Sequence, residues 1–253
     1  MTVENKTPSE NAAGFYTHQD DVFGRIASRY DVLCDLFSLG IHRLWKRRVA
    51  RVIAKEPLSL LLDCATGTGD IILRVVNHKD IQQSQKIIAS DISPKMLAIA
   101  QKRLAAENSS IEFRVLDAHS MPELPSESVD LYSISLGLKI CERRKVLQEV
   151  MRVLRPGGRL IVLEASNIPW RWLQRAYLLY MNLCMPIIGW IATGGDSAAY
   201  RYLLQGIENF PTAEEFAQEL ASLGFKDIGF ERLSLGIVAI HTARKPEATK
   251  LSG

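Results

Sequence analysis

Ten residues, Leu61-Leu62-Asp63-Cys64-Ala65-Thr66-Gly67-Thr68-Gly69-Asp70, constrain the fold more than any other stretch. They read as a buried strand running into a glycine turn, after which helical spacing resumes over residues 71–77. Gly67 and Gly69 let the backbone turn sharply and approach a ligand, with main-chain N–H groups lining the loop. Asp91 ends the next strand pattern 22 residues after Gly69, where a carboxylate can accept both hydroxyls of a ribose. A nucleotide or nucleoside cofactor is therefore expected here. Ile72 occupies the place of the third glycine in the dinucleotide fingerprint, and Asp63 and Asp70 would repel a pyrophosphate. A cofactor without phosphate fits better.

The rest of the chain alternates in the same manner. Strand patterns cover residues 58–64, 86–90, 111–116, 129–135 and 159–164. Helical ones lie between them, at about 93–107 behind the Ser93-Pro94 start and at about 142–154 before the Arg155-Pro156-Gly157-Gly158 turn. Strands alternating with helices give βαβ units and a parallel sheet. Thr212 and Glu215 predict a capping box for a helix ending at Gly224, and two further strand patterns follow at 225–233 and 237–244. A closing antiparallel hairpin on a parallel sheet is the pattern of the S-adenosylmethionine (SAM) methyltransferase fold. The expected fold is α/β, a class I, Rossmann-like seven-stranded sheet with an N-terminal helical cap and a helical lid insertion. One domain over 1–253 is expected: a loose tail (1–14), the cap (15–56), the SAM-binding core (57–164), the lid (165–211) and a C-terminal helix with the hairpin (212–245).

Composition narrows the function. The 253 residues are 47% hydrophobic and 23% charged, an ordinary globular balance. A net charge of +3 does not describe a nucleic-acid binder. Cys34, Cys64, Cys141 and Cys184 form no C-x-x-C pair, and the histidines show no H-E-x-x-H spacing, so no metal is expected. No apolar targeting segment opens the sequence, which points to the cytoplasm.

Two more strand ends face the same crevice. Asp117-Ala118, after the third strand, offers a carboxylate and a main-chain N–H to an adenine edge, although a surface-turn acid is an equal reading. Ser135, ending the fourth strand, would face the methionine part or the methyl group.

With their flanks these residues resemble the C-methyltransferases of menaquinone and ubiquinone biosynthesis, the UbiE type. The resemblance runs from Val22 to Arg244. It includes F-G-R-I-A-S-R-Y-D (23–31), G-I-H-R-L-W-K-R (40–47), A-T-G-T-G-D, D-I-S-P-K-M-L, R-V-L-R-P-G-G-R-L-I-V-L-E, Asp196-Ser197 with Tyr200-Arg201-Tyr202-Leu203, Phe210-Pro211, and G-I-V-A-I-H (236–241). It implies SAM, or its product S-adenosylhomocysteine, bound by Gly67, Thr68, Gly69, Asp91, Ile92, Asp117, Ala118 and Ser135, with Tyr30 from the cap. One segment departs: Leu136-Gly137-Leu138-Lys139-Ile140-Cys141 stands where the family usually has F-G-L-R-N-V, so Lys139 keeps a charge without the planar fork of Arg.

The reaction so implied moves the sulfonium methyl to a ring carbon of a polyprenylated hydroquinone, in the leading case demethylmenaquinol to menaquinol. The acceptor must lose a hydroxyl proton to activate its ring. His42, Asp196, Tyr200, Arg201 and Lys139 are the candidates for the polar side of that pocket, with His42 or an ordered water as proton acceptor. Each has a plainer alternative: His42 can simply hydrogen-bond within its basic helix, Tyr200 and Arg201 can hold the lid, and His241 reads as structural. Competing functions are methylation of another small lipophilic or aromatic acceptor, and a non-catalytic scaffold of a quinone-biosynthesis complex.

From Ala176 to Gly195 no residue is charged, near the length that spans a bilayer. Asn182, Pro186 and Gly189 are expected to interrupt it, which favours lid helices whose Trp170, Trp172, Tyr177, Tyr180 and Trp190 line an isoprenoid passage or rest on a membrane surface. A buried insertion or a homodimer contact is an equal reading. Six basic residues and no acid between Leu36 and Lys55 would complement anionic lipid if they share a side with the lid. Otherwise they are a solvated helix face.

Overall fold

A computed structural model describes residue 27 and residues 30–56, 59–78, 86–107, 110–193 and 198–248, with the side chains of 185, 188–193 and 198–203 outside that description. The expected tail, most of the 23–31 motif, and Asp196 lie outside the described residues.

Seven strands form one sheet: β1 (Leu60–Cys64), β2 (Lys86–Asp91), β3 (Ser110–Val115), β4 (Val129–Ser135), β5 (Leu154–Ala165), β6 (Lys226–Leu233) and β7 (Val238–Arg244), in the order β3-β2-β1-β4-β5-β7-β6. β1 to β5 are parallel, and β7 enters antiparallel between β5 and β6. The order reverses between β1 and β4, and a ligand crevice opens at such a switch point beyond the strand C-termini. The central strands are covered on both faces. Leu61, Leu131 and Ile161 face one apolar cluster, while Leu62, Tyr132 and Leu160 face another.

The helices are α1 (Tyr30–Ser38), α2 (His42–Ala54), α3 (Asp70–Val76), α4 (Pro94–Leu104), α5 (Arg143–Val153), α6 (Arg171–Thr193), α7 (Ala198–Asn209) and α8 (Ala213–Ser222). The start signals act as expected. Ser93 accepts from Met96 N–H with Pro94 in the first turn, and Thr212 and Glu215 form a reciprocal capping box. α1 ends where Leu39 and Gly40 turn left-handed (φ 50° and 75°) and Gly40 N–H donates back to Asp35 O at 2.9 Å.

Of the two cap helices, α2 belongs to the core: Val49 and Ile53 are fully buried against α3 and β1. The basic stretch is correspondingly not all solvated. Lys46 is buried and pairs with Asp70 at 3.0 Å, Arg43 pairs with Asp35, and Arg48 with Glu231 at 2.8 Å. β5 is longer than the 159–164 expected, because Leu154 already pairs with Val129 and the Pro156-Gly157-Gly158 turn is absorbed as an irregularity in the ladder.

The expected interruption of the uncharged segment is not found. α6 runs continuously through Pro186. A proline removes one helical hydrogen bond, and here tertiary packing outweighs that loss: Tyr177 and Met181 of α6 pack with Phe37 of α1 and with Leu204 and Ile207 of α7. Among the described residues, no helix is long and apolar enough to cross a membrane.

Candidate active site: a polar crevice beside an apolar chamber

Two cavities adjoin at the C-terminal edge of the sheet. The smaller, about 90 Å³, is lined by the ends of β1, β2 and β4, by the turn after β3, and by Tyr30 of α1. Its floor is built by backbone geometry. Ala65, Gly67 and Gly69 all have left-handed φ (52°, 57° and 79°), which only the glycines adopt without strain. A Cβ on Gly67 would meet nothing within 4 Å, so φ and not space requires that glycine. Gly137 is required by space, since its Cβ would lie 2.7 Å from Ala65 Cβ.

Asp91 is fixed by main-chain donors. Its Oδ2 accepts from Gly67 N–H at 2.8 Å and its Oδ1 from Ser93 N–H at 2.9 Å. Asp117 accepts from the His119 backbone N–H at 2.9 Å and lies 2.7 Å from His119 Nδ1. Burial alone would raise the Asp117 carboxyl, but the His119 donors outweigh it and hold it below the usual carboxylate range. Ser135 Oγ is buried in the lining and has no hydrogen-bond partner among the described residues. A buried hydroxyl without a partner is costly, and this one is placed to meet a polar ligand.

The acids flanking the glycine turn serve the scaffold. Asp63 accepts from Ser133 Oγ at 2.5 Å and Thr66 Oγ1 at 2.6 Å. Its burial raises the carboxyl to about 6 against those hydrogen bonds. Asp70 pairs with Lys46 and with Arg74 at 3.1 Å.

The larger cavity, about 270 Å³, is enclosed by α1, α2, α6, α7 and the ends of β5 and β7. Its walls are apolar and aromatic: Leu33, Phe37, Leu39, Ile41, Trp45, Tyr177, Tyr180 and Met181. Besides Tyr30, Cys34 and the two α6 tyrosines, two polar couples belong to the lining. His42 Nδ1 sits 2.8 Å from Ser38 Oγ, and burial, followed by the charge of Lys46, lowers the imidazole below its ordinary pKa. The second couple is Lys139 with Glu164, whose side chains are 7% and 1% exposed. Lys139 Nζ lies 3.2 Å from Glu164 Oε1 and also donates to Leu136 O, while Glu164 accepts from Lys139 N–H at 3.0 Å and Ala165 N–H at 2.8 Å. Leu136, left-handed at φ 58°, and Tyr30 border both cavities.

Of the expected cofactor residues, Tyr30, Gly67, Asp91, Ile92, Asp117, Ala118 and Ser135 converge on the crevice. Thr68 and Gly69 do not line it. Thr68 Oγ1 turns away to bond Asp31 and Arg103, because those partners satisfy a hydroxyl that is buried on the outer side of the loop. Gly69 starts α3 and lets α4 approach, its Cβ position lying 3.1 Å from Ala100 Cβ.

Of the expected polar residues of the acceptor pocket, His42 and Lys139 line the chamber. Tyr200 and Arg201 lie on α7 with side chains outside the description, as Asp196 is altogether. Glu164 and His119 are additions that sequence reading missed. Glu164 looked like an ordinary strand end, and its partner lies 25 residues away. Tyr177 and Tyr180 line the chamber, whereas Trp170 and Trp172 are exposed and Trp190 is outside the described side chains. His241 is a packing residue, its Nε2 2.9 Å from Ala213 O and its ring between Phe216 and Phe230. Among the described residues, no cluster of three or more His, Cys, Asp or Glu could hold a metal.

Comparison with known proteins gives a consistent picture. Residues 13–245 match the model of the ubiE/COQ5 methyltransferase family. The chain is 37% identical over 240 residues to the mitochondrial 2-methoxy-6-polyprenyl-1,4-benzoquinol methylase of Schizosaccharomyces pombe, covering 89% of this chain and 78% of that one. It is 39% identical over 230 residues to the ubiquinone/menaquinone biosynthesis C-methyltransferase UbiE of Rickettsia bellii, covering 89% and 92% respectively. Among solved structures, a SAM-dependent methyltransferase of Thermotoga maritima aligns with TM-score 0.62 at 18% identity over 90% of this chain and 100% of that one. The CurJ carbon methyltransferase aligns with TM-score 0.59 at 19% identity over 80% and 54%.

Proposed function

The chain belongs to the ubiE/COQ5 methyltransferase family, and from that premise we propose that its two adjoining cavities are a donor site and an acceptor site for one methyl transfer. The protein is a SAM-dependent C-methyltransferase of ubiquinone or menaquinone biosynthesis. The finer reading is that its acceptor is a polyprenylated naphthoquinol, demethylmenaquinol, and its product menaquinol.

The residues of the crevice fit the donor. Ser135 offers an unpartnered buried hydroxyl, and Gly67 leaves open space beside a left-handed backbone. Asp91 would accept the ribose hydroxyls, Asp117 and Ala118 would read the adenine edge, and Ser135 would meet the methionine part. Bound there, SAM supplies an electrophilic methyl group. The absence of phosphate from that molecule agrees with the acids around the turn.

The chamber's residues bind, orient and deprotonate. A ring carbon becomes nucleophilic when a hydroquinone hydroxyl loses its proton, which requires an unprotonated base. Burial and the charge of Lys46 lower the His42 pKa and so favour its neutral form. With Nδ1 engaged by Ser38, Nε2 is the atom that takes the proton, directly or through water. Lys139, held between Glu164 and Leu136 O, fixes the boundary with the crevice and presents a cation beside a developing phenolate. Apolar walls exclude water. The predominantly apolar lining of the chamber favours a fused hydrocarbon ring over a ring bearing a further oxygen substituent.

The observation that carries this reading is the meeting of a polar crevice and an apolar chamber at Tyr30 and Leu136. Exposed Leu39, Ile41 and Tyr180 at the chamber, with exposed Arg47 and Arg51 on α2, suit a contact with anionic lipid from which a polyprenylated acceptor is drawn. The test is extraction of quinones from a strain lacking its own enzyme and complemented with this chain. Methylated menaquinone should reappear by mass spectrometry, and its absence with the protein present would overturn the naphthoquinol assignment.

A further inference from the structure

His119 lines the crevice without a part in the methyl transfer itself. Both of its ring nitrogens are engaged. Glu142 N–H, which can only donate, meets Nε2 at 2.9 Å, so Nε2 is assigned as the acceptor and Nδ1 carries the ring proton. That Nδ1–H donates to Asp117 Oδ1 at 2.7 Å, the same oxygen that accepts from the His119 backbone N–H at 2.9 Å. The Asp117 side chain is 8% exposed, and among the described residues no donor is bound to its Oδ2. The carboxylate is held by one oxygen and offers the other.

A carboxylate turns readily about its last bond, and two donors converging on Oδ1 settle which way it faces. The imidazole is in turn anchored on its far side by Glu142, the residue that precedes α5, and Ile140 and Cys141 just ahead of it also line the crevice. We infer that His119 is a positioning residue for recognition of the donor's base. Its tautomer, set by Glu142, commits Asp117 Oδ1 to the protein and leaves Oδ2 to accept from an exocyclic amino group, which selects a 6-aminopurine over a 6-oxopurine. An oxo group at that place would set a lone pair against the carboxylate and leave a buried acceptor unpaired. The inference rests on the reading of the crevice as the donor site, with Asp117 and Ala118 at the adenine edge, and His119 acts through Asp117.

The test compares calorimetric binding of S-adenosylhomocysteine to the full chain with that of S-inosylhomocysteine, its 6-oxopurine counterpart. The unaltered protein should prefer the amino ligand by about 100-fold. In His119→Gln the carboxamide oxygen takes the place of Nε2 and still accepts from Glu142, while the Nδ1 position is left empty. The preference should then fall to about tenfold or less, the remainder being due to Ala118. His119→Ala should lower it to the same extent. His119→Asn sets an amide N–H where Nδ1 stood and should keep the preference near its original value. A general folding defect would weaken both ligands alike and leave the ratio unmoved. An undiminished preference in both His119→Gln and His119→Ala, or an equal loss in His119→Asn, overturns the inference. Failure of S-adenosylhomocysteine to bind the unaltered protein, or an unchanged preference in Asp117→Ala, would instead remove the underlying reading of the crevice.

Discussion

The crevice and the chamber share an edge of the sheet but are made by different means. The crevice is built from strand ends and main-chain donors: Asp91 is held by two backbone N–H groups, and the turn bends through left-handed residues. The chamber is built from side chains on helices far apart in sequence, with Trp45, Tyr177 and Ile207 brought to one space by tertiary packing. A backbone-built site is rigid and selects its ligand by hydrogen bonds. A site of packed apolar side chains excludes water and admits a greasy ring, and its few polar groups must therefore be internally paired.

The strongest test of that contrast strikes the chamber's buried ion pair. Glu164→Gln leaves Lys139 without its counter-charge, which should cost about 3–5 kcal/mol of stability. Thermal denaturation should show the loss, and adding Lys139→Met should recover most of it. Equal stability of the single and double variants would mean that the couple is not a closed unit. Next is Asp91→Ala, which removes an acceptor used twice by the backbone and proposed for the ribose. Calorimetric binding of S-adenosylhomocysteine should weaken by about 100-fold, on the order of 2.7 kcal/mol. Binding of a naphthoquinone probe in the absence of S-adenosylhomocysteine should barely change, and an equal loss of both would break the distinction between the sites.

His42→Gln should lower kcat by about 100-fold, the smaller end of the range for general-base catalysis. The pH profile gives its sign. The base works neutral, so activity falls as pH drops through the His42 pKa, and burial with Lys46 places that limb below about 6.5. The variant should lack that limb. The smallest effect expected is at the chamber mouth, where Tyr180→Ser should raise the acceptor KM by about tenfold, roughly 1.4 kcal/mol of lost apolar contact, with the KM for SAM unchanged. A shift in the latter would show that α6 also shapes the crevice.

How much could be read in advance follows the same division. Gly67, Asp91, Asp117, Ala118 and Ser135 stand at strand ends, where a local pattern and the parallel-sheet rule suffice to place them. The partners of the Thr68 side chain were not legible, because a loop side chain turns toward whichever partners the fold provides, and Asp31 and Arg103 lie 37 and 35 residues away. Glu164 became visible only when pairing of β4 with β5 set it under Lys139. Pro186 misled in the opposite direction, since propensity describes a helix in isolation whereas α6 is held by α1 and α7.

Among the described residues lining the two cavities, only Tyr30 and Leu136 belong to both. Inheritance can therefore act on the two halves at different rates. Substitutions on α1, α6 and α7 can redraw the shape offered to an acceptor while the strand ends stay as they are, so a lineage carrying this scaffold can drift from one aromatic acceptor to another without reinventing its methyl source.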